Sequence, residues 1–246
     1  MREVDLGSNL VEFYTKPIRG RLFVVGDLHG CYTLLMNKLE ELEFNFQQDL
    51  LVSVGDLVDR GQENLECLSL INEPWFKAIR GNHEQMCIEA TFDNEMKEMH
   101  AYHGGDWLYK LPTVQQQIVV EQCLNLPIIL EIHHNNKVYG FVHADIHIND
   151  WDNFKQEVLK NNYFIEGEQS AMQIALWHRG RVRFSTYNPI YKTVTGVDEI
   201  YFGHTVVKEP VKHQNCFFID TGAVFGGPLT IRELEEIYVR FHIVVS

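Results

Sequence analysis

The sequence predicts an α/β fold in which two β-sheets pack face to face with helices outside. Three observations predict it: short apolar runs alternating with amphipathic helical stretches in the N-terminal part, a strand–turn–strand pattern around Asn135 and Asn136, and further short apolar runs towards the C-terminus. Residues 21–26 (RLFVVG) form an apolar run with β-branched residues, and residues 31–44 read as an amphipathic helix through Leu34, Leu35, Leu39 and Leu42. Residues 50–54 (LLVSV) give a second strand, 63–71 a second helix and 75–79 a third strand, after which Asn82 opens another helix. Strands alternating with helices at this spacing predict parallel pairing with right-handed crossovers, so successive strand ends fall on one sheet edge, where ligands bind in such folds.

The middle of the chain, residues 96–124, is polar and helix-prone and reads as a helical insert or cap punctuated by Gly104, Gly105 and Pro112. Residues 127–133 and 137–143 flank Asn135-Asn136 as the arms of a hairpin. Further strands are expected at 199–202, 216–220, 229–233 and 237–244, making the second half richer in antiparallel sheet.

A chain of 246 residues without repeats, low-complexity tracts or Pro/Gly/Ser-rich linkers is expected to form one domain, residues 1–246, around one large core. The composition, 45% hydrophobic and 22% charged, is that of a globular protein. A net charge of −13 repels polyanions, which argues against a nucleic-acid partner, yet divalent metals and a few arginines can invert the local potential for a small phosphate ester. The five cysteines are odd in number and lack CxxC spacing, so they predict reduced thiols instead of a disulfide framework. No basic segment precedes an apolar run near the N-terminus and no apolar stretch is long enough to span a bilayer, so the expected location is cytoplasmic with no membrane partner.

Three segments each follow an expected strand: Gly26-Asp27-Leu28-His29-Gly30, Gly55-Asp56-Leu57-Val58-Asp59-Arg60-Gly61 and Gly81-Asn82-His83-Glu84. Two later histidines, His143 and His204, also end strands. A single Gly-Asp after a strand is ordinary turn chemistry. Convergence of Asp27 with His29, Asp56 with Asp59 and Arg60, and Asn82 with His83 on one edge is not explained by turns. The donors Asp27, His29, Asp56, Asn82, His143 and His204 combine carboxylate, imidazole and amide oxygen without thiolate, a set suited to manganese, iron or zinc. Six donors exceed the needs of one catalytic zinc, and Asp56 has two carboxylate oxygens with which to bridge a pair of ions. The other histidines read as bland: His133 and His134 at a hairpin end, His100 and His103 in a solvated insert, His213 and His242 on the surface. Asp145, two residues past His143, is a candidate either to orient a ligating imidazole or to stabilise the turn there.

The segments GDLHG, GDLVDRG and GNHE, followed by His143 and His204, resemble the signature of the phosphoprotein phosphatase superfamily of metallophosphoesterases. Residues 81–86 (GNHEQM), 142–145 (VHAD), 177–179 (WHR), 202–205 (FGHT) and 219–227 (IDTGAVFGG) resemble its bacterial and phage serine/threonine phosphatases. The resemblance runs from residue 21 to about residue 233, weakest in the insert. It implies a calcineurin-like fold, a central β-sandwich of mixed sheets flanked by helices. It also implies Asp27, His29 and Asp56 on one metal, with Asp56, Asn82, His143 and His204 on the other. It assigns His83 as general acid supported by Asp59, and Arg60 and Arg179 as holders of phosphate oxygens. The implied activity is hydrolysis of phosphoserine and phosphothreonine in proteins, with phosphotyrosine a further candidate, by direct attack of metal-activated water. Two divalent ions, Mn2+ foremost with Fe or Zn as alternatives, would serve it, and the partner is a phosphoprotein or phosphopeptide. Within the superfamily the rival reading is a symmetric diadenosine tetraphosphate hydrolase, against which the Asp59-Arg60 pair weighs. A non-catalytic metal-binding module would have lost ligands or arginines, and none is missing.

Overall fold

The structure, a computed structural model, describes residues 7, 9–160, 163, 169–184 and 188–234. The strand expected at 237–244 and His242 lie outside them. The first half comprises β1 (Val11–Tyr14), β2 (Leu22–Val25), α1 (Tyr32–Glu41), β3 (Leu50–Ser53), α2 (Asn64–Ser69), β4 (Phe76–Ala78), α3 (Asn82–Glu89), α4 (Asn94–His100) and α5 (Thr113–Asn125). The second comprises β5 (Ile129–His134), β6 (Lys137–Val142), α6 (Trp151–Leu159), α7 (Ala171–Trp177), α8 (Gly180–Phe184), β7 (Glu199–Phe202), β8 (Val211–His213), β9 (Cys216–Phe218) and β10 (Ile231–Glu233).

Two mixed sheets result, one of six strands in the order β1-β5-β6-β7-β9-β8 and one of four in the order β10-β2-β3-β4. β2, β3 and β4 pair in parallel, as the βαβαβ spacing predicts, and β10 closes the edge antiparallel to β2. The β5–β6 hairpin turns at Asn135 and Asn136, both left-handed (φ 46° and 63°), the geometry of a tight two-residue turn. The second half is richer in antiparallel pairing than the first, as expected, through β5–β6, β8–β9 and β10–β2, while β6 with β7 and β7 with β9 are parallel because α6, α7 and long connections return the chain to the same edge.

Strand period 2 explains the layers. Leu22, Val24, Leu50 and Val52 point inward and meet Leu130, Ile132, Tyr139, Phe141, Tyr201 and Phe217 of the opposite sheet. Phe23, Val25 and Leu51 point outward against Leu35 and Leu39 of α1 and Cys67 and Leu68 of α2. The parallel registers stack Phe141 on Tyr201 and Tyr201 on Phe217, with centroids 5.8 and 5.0 Å apart, across the inner face. The central strands of both sheets thus have two buried faces, which is why they read as largely continuous apolar runs, while the edge strands β1 and β8 do not. Among the described residues no helix is long and apolar enough to cross a membrane.

Candidate active site

The loops after β2, β3 and β4 and those after β6 and β7 leave the two sheets on the same rim, and they are laced together there. His29 N donates to Asp56 O (2.8 Å), Gly203 N to His143 O (2.8 Å) and His204 N to Asp27 Oδ2 (3.0 Å). Glu84, in the first turn of α3, accepts from Asp56 N (3.0 Å), Leu57 N (2.8 Å) and Gly81 N (2.8 Å), stitching the β3 loop to the helix start. Close approach is possible only because residue 81 is glycine: a Cβ there would sit 2.2 Å from Asp56 Oδ1. His29, Asp56, Asp59, Arg60 and His204 all have φ between 43° and 74°, in the left-handed region that costs about 1–3 kcal/mol where a side chain is present.

Asp27, His29, Asp56, Asn82, His143 and His204 are all buried and converge. Asp56 Oδ1 accepts from His83 N (3.0 Å), while Oδ2 lies 3.5 Å from His29 Nε2 and 3.4 Å from His143 Nε2. Asn82 Oδ1 lies 2.9 Å from His143 Nε2 and 2.8 Å from His204 Nδ1. Each imidazole is held from behind by a backbone carbonyl: His29 Nδ1 by Val58 O (2.8 Å), His143 Nδ1 by Val54 O (2.7 Å) and His204 Nε2 by Trp177 O (3.1 Å). Burial brings His29 down to about 3 and pushes His204 well below the ordinary imidazole range, so both rings are neutral. With one nitrogen donating to a carbonyl, the other carries a lone pair aimed into the cluster.

Beside this cluster, Asp59 Oδ2 accepts from His83 Nδ1 (2.6 Å). Burial alone would raise the Asp59 carboxyl, but hydrogen bonds from His100 and His83 outweigh it and hold it at about 2, an anion at any working pH. Arg60 is half-buried, bonds His29 Nε2 through a guanidinium nitrogen and lies 5.2 Å over the Phe225 ring. Arg179, also half-buried, is shifted down by burial and then by Arg183, and it feels Asp56, Arg60 and Asp220.

A family model described as calcineurin-like phosphoesterase matches residues 20–208. The chain belongs to that family. It is 37% identical over 219 residues to serine/threonine-protein phosphatase 1 of Salmonella typhimurium, covering 87% of this chain and 92% of that one. It is also 31% identical over 268 residues to the symmetrical bis(5'-nucleosyl)-tetraphosphatase of Pasteurella multocida, covering 87% and 94%. In fold it is similar to a protein serine/threonine phosphatase from Saccharomyces cerevisiae, with TM-score 0.57 and 18% identity over 87% of this chain and 71% of that one.

The donors of this metallophosphoesterase domain fit cations on their own chemistry. Burial pushes the Asp27 carboxyl well above the carboxylate range, and the neighbouring Asp220 and Asp56 carboxylates add to the effect, a concentration of negative charge that a cation would relieve. The neutral His204 turns its Nδ1 lone pair towards Asn82 Oδ1, so two acceptors face one point with no proton between them. The clustered His and Asp side chains, with His29, Asp56 and His83 in one group and Asp56, His143 and His204 in another, suggest a binuclear metal site sharing Asp56.

Of the two roles open to Asp145 the structure shows the turn: its carboxylate accepts from His178 Nδ1 (2.7 Å), Arg181 N (2.9 Å) and Ile146 N (2.7 Å), and so fixes the turn that carries Arg179. One expectation is overturned. His100 is not solvated: it is fully buried, with Nε2 2.9 Å from Asp59 Oδ2. Sequence reasoning also missed Glu84, legible as the third residue of the helix after Gly81 with the reach of a capping box. Asp220 was missed too; it ends the β9 run just as Asp27 and Asp56 end theirs.

Proposed function

We propose that this metal-dependent phosphoesterase is a serine/threonine protein phosphatase acting on phosphoserine and phosphothreonine in a phosphoprotein or phosphopeptide. The observation that carries the reading is the buried His83–Asp59 pair at 2.6 Å, with Arg60 next in the chain and turned to the cluster. Asp27, His29 and Asp56 would hold one divalent cation and Asp56, Asn82, His143 and His204 the other, with manganese the favoured metal for this oxygen and imidazole set. Such a pair supplies water made nucleophilic at neutral pH and neutralises phosphoryl charge.

The remaining work falls to the chain. A seryl alkoxide is a poor leaving group, so His83 delivers a proton to it as the P–O bond breaks, and the Asp59 anion holds and orients that imidazole until then. The planar forks of Arg60 and Arg179 hold the non-bridging phosphate oxygens, with contacts that tighten as charge shifts in the transition state. The 37% identity to a serine/threonine-protein phosphatase supports this substrate class. The five free cysteines, four of them buried, support action in a reducing compartment such as the cytoplasm.

A second reading, hydrolysis of a dinucleoside tetraphosphate, is favoured by the 31% identity to a symmetrical bis(5'-nucleosyl)-tetraphosphatase. A metal-screened panel of phosphoserine and phosphothreonine peptides, diadenosine tetraphosphate and p-nitrophenyl phosphate separates the two. The expected result is a higher kcat/KM on the phosphopeptides. Preference for the dinucleotide overturns the protein-phosphatase reading, and turnover of none of them leaves only a metal-binding module.

A further inference from the structure

The insert between α3 and β5 reaches the proposed acid from behind. α4, capped by Asp93, ends at His100, and a π-helical turn at residues 101–105 follows, a distortion that frequently marks functional sites. His100 Nε2 lies 2.9 and 3.1 Å from the two Asp59 oxygens, and its Nδ1 lies 2.7 Å from Tyr109 Oη. Trp107 Nε1 donates to Asp59 Oδ1 at 2.7 Å. One turn earlier, Gly104 O accepts from Arg60 N (3.2 Å), and a Cβ on Gly104 would fall 2.7 Å from that nitrogen, at a φ of 102° that glycine tolerates. Four residues of one segment thus grip Asp59, Arg60 or the ring that grips Asp59.

We propose that His100 and Trp107 are positioning residues: they fix the plane of the Asp59 carboxylate, and through it the imidazole of His83, so that the proton is delivered in line with the leaving oxygen. The inference rests on the reading of His83 as general acid. The physical reason is geometric. A carboxylate with a single donor can rotate about Cβ–Cγ, whereas donors arriving from three directions leave it one orientation, and the imidazole bonded to it inherits that orientation. Asp59, Cys87 and His100 also stand close enough to hold an ion. However, both His100 nitrogens are engaged with Tyr109 and Asp59, which makes the group a hydrogen-bonded clamp instead.

The test compares His100→Phe, His100→Gln and Trp107→Phe with His83→Asn on a phosphoserine peptide and on p-nitrophenyl phosphate, whose leaving group hardly needs a proton. His100→Phe should lower kcat on the peptide by ~10–100-fold, the usual cost of losing such an outer partner. KM should stay near the wild-type value, and the aryl ester should lose about threefold or less. His100→Gln, which keeps an N–H donor, should recover most of the loss. Trp107→Phe should show the same selectivity more weakly, and it keeps the test alive if His100→Phe fails to fold. In a His83→Asn background, His100→Phe should add no further selective loss. Equal losses on both substrates by His100→Phe and Trp107→Phe, while His83→Asn remains selective, overturn the clamp alone. An unselective His83→Asn overturns the general-acid reading and the clamp with it. A metal equivalent lost specifically from His100→Phe also overturns the clamp, in favour of an ion at Asp59.

Discussion

The two rims of the sandwich use left-handed backbone in opposite ways. On the rim away from the site, Glu43, Asn135, Asn136 and Gln214 take φ of 46–63° in exposed turns. On the site rim, His29, Asp56, Asp59, Arg60 and His204 take φ of 43–74° while buried or half-buried, held by bonds to residues far away in sequence. The Glu84 carboxylate holds the Asp56 loop, and Asp27 holds His204 N. A turn of the first kind is solvent-exposed and connects neighbouring elements. The second kind is maintained by the tertiary structure against its own cost, and it aims donors at a common point.

Substitutions on the two rims should therefore fail differently. Gly81→Ala places a Cβ 2.2 Å from Asp56 Oδ1 and 2.5 Å from Asp56 N, neither of which can retreat without moving the loop. Displacement of that carboxylate by even an ångström is expected to cost ~10²-fold in kcat/KM, measured on a phosphopeptide at saturating metal. Asn136→Ala on the far rim should leave kcat/KM unchanged and lower unfolding free energy by about 1–2 kcal/mol, the cost of an ordinary side chain in the left-handed region, read by chemical denaturation. Wild-type activity in Gly81→Ala, or lost activity in Asn136→Ala, would erase the distinction between the rims.

The sequence made one rim legible and left the other half-hidden. The parallel strands β2, β3 and β4 and their loops were readable because buried apolar runs end in Gly-Asp or Gly-Asn. β1 and β8 were missed: each is an edge strand of four or three residues with no apolar periodicity to announce it. α6 was missed although Trp151, Phe154 and Val158 repeat at helical spacing behind Asp150, whose carboxylate caps Asn153 N. His100 was misread for a different reason. It lies in a largely polar insert, and it is buried by docking on Asp59, 41 positions earlier, with Cys87 and Tyr109 packed beside it. Local patterning cannot report a partner of that kind, and the same holds for Asp145, whose partners His178 and Arg181 lie more than 30 residues on.

Whether Asp56 joins two cations is tested most directly by metal content. Metal-stripped wild type and Asp56→Asn would be loaded with Mn2+, separated from free ion and assayed for bound metal per chain. Two equivalents in the wild type, with at least one lost from Asp56→Asn, are expected if Asp56 Oδ2 joins the His29 and His143 sides of the cluster. Two equivalents retained in Asp56→Asn would contradict the account.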